Sequence, residues 1–103
     1  MRLLGLCLSV TLVLCGAIDV ALAQSVENGR RLSERWCIEC HAIGPAPVKR
    51  NRASSFASIA ARQTINANMI AAFLLLPHAT MPNLPLSRQD AEDIAAFIVG
   101  MKE

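Results

Sequence analysis

The chain has 103 residues, a formal net charge of only +2 and 53% hydrophobic residues. That length accommodates one small domain. The one basic run, Lys49, Arg50 and Arg52, is short and has no interleaved aromatics, which excludes a nucleic-acid-binding surface.

Met1-Arg2 is a short positive start, followed by an apolar run from Leu3 to Ile18 that only Gly5, Ser9, Thr11 and Gly16 interrupt. Ala21-Leu22-Ala23 then supplies the small-x-small pattern that a signal peptidase reads. The first 23 residues are therefore expected to be a signal peptide, cut before Gln24, leaving residues 24–103 as the mature domain. The run is shorter than the roughly 20 residues that span a bilayer, so no membrane span is expected in the mature chain. A retained anchor is one alternative. Acylation at Cys15 is another, although bulky Leu14 stands where lipoprotein processing takes a small residue. Cys7 and Cys15 leave with the leader, so the mature chain keeps only Cys37 and Cys40.

The mature pattern reads as all helix. A first helix is expected from about Ser25 to Cys40, with Ser25 as N-cap, Val26, Leu32 and Trp36 on one face, and Arg30, Arg31, Glu34 and Arg35 outside. Gly44-Pro45-Ala46-Pro47 marks a loop. Ser54-Ser55 opens a short segment over Phe56 to Ala61, and Thr64 or Asn66 caps a third, with Ile65, Met69, Ile70, Phe73 and Leu74 apolar at helical spacing. That helix must end near Leu76, because Pro77 disfavours the α conformation in the residue before it. Pro77 to Leu86 reads as a loop. The last helix starts at Ser87, paired with Asp90 as a cap, with Glu92 and Asp93 placing favourable charge in the early turns. Its apolar stripe is Ile94, Phe97, Ile98 and Met101. A domain of this size buries little core and usually needs a staple.

The chemistry is carried by Cys37-Ile38-Glu39-Cys40-His41. C-x-x-C-H is the attachment signature of c-type haem: two thiols on one helical turn add to the two vinyl groups of one porphyrin, and the adjacent histidine ligates the iron. Two other uses of C-x-x-C compete. Thiol–disulfide exchange would set the motif after a strand in a βαβ context, and no strand pattern is present. Zinc wants about four ligands; Cys37, Cys40, His41 and His78 suffice in number but include no second paired-ligand knuckle. Haem fits best, and the export signal agrees, since covalent haem attachment in bacteria takes place outside the cytoplasmic membrane.

With a helix running into C-x-x-C-H, a Met-Pro loop and a C-terminal amphipathic helix, the mature chain resembles a small monohaem class I cytochrome c throughout. The resemblance implies a compact all-α fold of about four short helices around one covalent haem. It also implies crossed first and last helices, with Gly29 letting the aromatic Phe97 approach. Where the family often has an aromatic four residues after that glycine, this chain has Ser33, and Trp36 is the candidate for the missing bulk. The resemblance also implies a proline carbonyl accepting the Nδ1–H of His41, for which Pro45 and Pro47 are the candidates; the alternative is that both are simple turn residues. For the distal ligand, Met81 in Met-Pro-Asn-Leu-Pro matches the family's ligand loop and the prolines stiffen it. His78 is the rival, while Met69 and Met101 sit on apolar helical faces where methionine is more often core filler.

An iron held by His41 and Met81 has no open position for substrate. The implied function is periplasmic one-electron transfer between redox partner proteins, a dehydrogenase or an oxidase or reductase, by a monomer that is not an enzyme. The alternatives are a haem domain that opens its distal side to NO, CO or peroxide, and a cytochrome subunit of a larger dehydrogenase or oxidase. Lys49, Arg50 and Arg52 form either a steering rim for an acidic partner or a solvated loop.

Overall fold

Three of the helices begin where a side chain satisfies otherwise unpaired backbone amides. In the computed structural model, which describes residues 25–44, 53–76 and 80–102, helix α1 occupies residues 25–36. Helix α2, Phe56–Ala60, is capped by Ser55, whose hydroxyl accepts from the Ser58 amide. Helix α3, Ala67–Leu75, is capped by Asn66 rather than Thr64, and its side chain accepts from the Met69 amide. It ends at Leu76, which is extended (φ −94°, ψ 145°), as a residue before proline requires. Helix α4, Arg88–Val99, opens on the full reciprocal box of Ser87 and Asp90. Among the described residues there is no strand, and the domain is all-α. The leader, Pro45, Pro47, the Lys49–Arg50–Arg52 cluster and Pro77-His78 lie outside the described residues.

Helix α4 is the hub. It packs on both α2 and α3, and α1 crosses it at Gly29. An added Cβ at Gly29 would lie 2.5 Å from the Asp93 carbonyl carbon and 3.0 Å from the Ile94 nitrogen, and closer still to the Asp93 carbonyl oxygen. The nearest atoms at the crossing are thus α4 backbone, at Asp93 and Ile94. The core comprises Cys37, Phe56, Ala60, Ile70, Ala71, Ala91, Ile94, Ala95 and Ile98. Ala91 and Ala95 are fully buried on α4, small residues that let neighbouring elements come close.

Ser33, one turn beyond Gly29, is also fully buried and donates its hydroxyl to the Gly29 carbonyl at 2.7 Å. A tight crossing one turn away explains why a small residue stands there instead of an aromatic. Trp36 does pack partly against the core, with the Arg35 guanidinium 4.9 Å over its ring.

Three local expectations are corrected. Ser25 is already helical, and its hydroxyl donates to Asp93 at 2.7 Å instead of capping α1. Asp93, expected to lend charge to the early turns of α4, is buried, 4% exposed, and accepts further hydrogen bonds from Asn28 and Gln89 at 2.7 and 2.8 Å. Val26, Met69 and Phe73 are exposed rather than core, because α1 and α3 turn Leu32 and Ile70, Ala71 and Leu74 inward instead.

Candidate haem-attachment site

Helix α1 stops at residue 36, and the motif forms the turn after it. The Cys37 carbonyl accepts from the amides of both Cys40 (3.2 Å) and His41 (2.9 Å), which closes residues 37–41 into a single tight turn that carries both cysteines. Cys37 is buried and Cys40 half-buried, and they are not joined in a disulfide. Burial pushes the Cys37 thiol up to about 11, against a smaller downward pull from its hydrogen bond with Ser33. Thiol–disulfide exchange works through a thiolate with a lowered pKa, so this cysteine is poorly suited to that chemistry.

His41 is held from two sides. Its Nδ1 lies 2.6 Å from the Ser54 carbonyl oxygen. A carbonyl only accepts, so Nδ1 carries the proton and Nε2 keeps its lone pair for a metal. The ring also packs on Phe56, with centroids 5.5 Å apart and planes tilted by 50°. Ser54 in turn is fixed by the two residues after it: Ser55 caps α2, and the Phe56 amide bonds to the Ala42 carbonyl at 2.9 Å. The acceptor is therefore Ser54 and not the expected proline; Pro45 and Pro47 lie outside the described residues.

The donor set suits haem better than a protein-only metal site. Two thiols and one imidazole follow one another within a single turn, and no group of three histidine, cysteine or acidic side chains among the described residues could hold a metal ion by itself. Cys37 and Cys40 would take the two thioether bonds, and His41 the proximal position. Met81 lies half-buried in the segment 80–87 between α3 and α4, away in sequence from the motif. Its rival His78 lies outside the described residues. Met69 is half-exposed on α3, while Met101 packs against the core just past α4. Among the described residues no helix is long and apolar enough to cross a membrane.

No family model matches the chain, and no solved structure matches it significantly. The chain is 39% identical to the cytochrome c-552 of Bradyrhizobium diazoefficiens over 103 residues, which covers 99% of this chain and 97% of that protein. With that identity over nearly the full length of both, the chain belongs to the cytochrome c family: it carries covalently bound haem c and serves as an electron carrier, not an enzyme.

Proposed function

We propose that this protein is a monomeric periplasmic carrier in which Cys37 and Cys40 anchor one haem, His41 is its proximal ligand and Met81 its distal ligand. The observation that carries this reading is the His41 ring, whose Nδ1–H is committed to Ser54 so that Nε2 is the only ring nitrogen left to ligate. Haem, when bound, supplies an iron that gains and loses one electron. The chain's own part is to fix the ring, raise its basicity through the Ser54 hydrogen bond, and exclude water with Phe56 and the core beneath it. Its partners are redox proteins on either side of that electron. The leader supports export, and cleavage before Gln24 predicts an intact mass equal to residues 24–103 plus one haem. A mass retaining residues 1–23, or one starting at Cys15 with acyl chains, would contradict it.

Distal ligation is tested by substitution. A thioether favours ferrous iron more than imidazole does. Met81→His is expected to lower the reduction potential by on the order of 0.1–0.3 V, within the about 0.8 V range that axial ligands cover. Met81→Ala should bind exogenous imidazole or cyanide, whereas His78→Ala should leave both spectrum and potential little changed. If His78→Ala abolishes six-coordinate character and Met81→Ala does not, the protein is a bis-histidine cytochrome.

A further inference from the structure

Phe97 lies on α4, one turn beyond the Asp93 carbonyl that Gly29 meets. Its ring sits edge-on to Phe56, with centroids 6.2 Å apart and planes at 67°. Phe56 is 3% exposed and is the residue packed on His41. An aromatic chain thus runs from α4 through Phe97 and Phe56 to the imidazole. A single hydrogen bond at Nδ1 fixes one ring atom but leaves the ring free to swing about that contact. A tilted aromatic neighbour removes the swing, since such pairs have preferred geometry.

We propose that Phe56, backed by Phe97, is a positioning residue for the proximal imidazole, holding its rotational setting and keeping its Nδ1–H on the Ser54 carbonyl. The inference rests on His41 being the proximal ligand. Its physical consequence has a sign. A well-kept Nδ1–H···O bond makes the imidazole a stronger donor to iron, which favours the ferric state. Loosening the ring weakens that bond and raises the potential.

The test uses the holoprotein and its Phe56→Leu, Phe97→Leu and doubly substituted forms, with Phe56→Tyr as the variant that keeps a ring. Two readouts are measured: the midpoint potential, and the hyperfine-shifted haem methyl resonances of the ferric form, whose spread reports the orientation of the axial ligands. Phe56→Leu should raise the potential and redistribute the methyl shifts while the iron stays six-coordinate. Phe56→Tyr should retain the wild-type pattern. Phe97→Leu should move both readouts in the same direction by less, and add nothing in the Phe56→Leu background. Should Phe56→Leu fail to mature, Phe97→Leu carries the test, because its half-buried ring packs on Phe56. Unchanged readouts with a mere loss of stability would overturn the proposal, as would full additivity in the double variant. The chain has only two histidines, so His78→Ala leaves His41 alone. Absence of iron-bound imidazole resonances in that variant would refute proximal ligation itself, an outcome distinct from a silent Phe56→Leu.

Discussion

Replacing Gly29 by alanine is expected to destabilise the holoprotein by about 3 kcal/mol, at the upper end of typical overpacking costs. The atoms that a new Cβ would strike belong to the α4 backbone, at Asp93 and Ile94, so no side chain can swing aside. Relief requires α1 and α4 to separate, which would unpack fully buried Ile94 and reopen the crossing. Helix propensity alone predicts the opposite sign, a gain of up to about 1 kcal/mol for alanine over glycine in a helix. Guanidinium unfolding of wild type and Gly29→Ala therefore decides between a close approach and a merely tolerated glycine. A midpoint equal to or above wild type would contradict the crossing.

Asp93→Ala is expected to cost about 3 kcal/mol, because hydrogen bonds to a charged group contribute more than neutral ones and three donors would lose their acceptor. Ser25, Asn28 and Gln89 converge on this carboxylate, two of them from α1. Burial raises the carboxyl, but the hydrogen bonds from Asn28, Ser25 and Gln89 more than reverse that, leaving it below its ordinary value of 3.8. A depressed native pKa means that folding favours the ionised form. Its contribution is complete above the unfolded value and is lost as pH falls through the native one. The stability due to Asp93 should accordingly be constant from neutrality down to about pH 5 and decline below about pH 4. Denaturant midpoints at pH 7 and pH 3 check this: the gap between wild type and Asp93→Ala should narrow on acidification. An equal gap at both values would show that the cost comes from lost packing and not from the ionised clamp.

The features legible in the residue order and those hidden from it divide along a physical line. Local chemistry was readable. Ser87 with Asp90, Asn66 ahead of an apolar run, Pro77 after Leu76 and the C-x-x-C-H turn all act within a few residues of themselves, and the ends of α3, the start of α4 and the motif turn agree with them. The clamp at Asp93 was not, because its donors Ser25 and Asn28 lie 68 and 65 residues away and only the helix crossing brings them together. An acidic residue near a helix start has a sufficient surface explanation, which hid the buried one. The face of α3 was equally ambiguous. Met69 and Phe73 share the helical spacing of Ile70 and Leu74, and in a helix apolar nearly all round, spacing does not say which side meets α4. The Ser54 acceptor left no trace at all, since a backbone carbonyl has no residue type.

The central claim is that haem is bound covalently through Cys37 and Cys40. The most direct measurement is denaturing electrophoresis of the protein made with a cytochrome c maturation system, stained for haem peroxidase activity. Colour should travel with the polypeptide, weaken when either cysteine alone is replaced by alanine, and vanish in Cys37→Ala/Cys40→Ala. A colourless band from the wild-type chain, or colour that survives loss of both cysteines, would contradict the account.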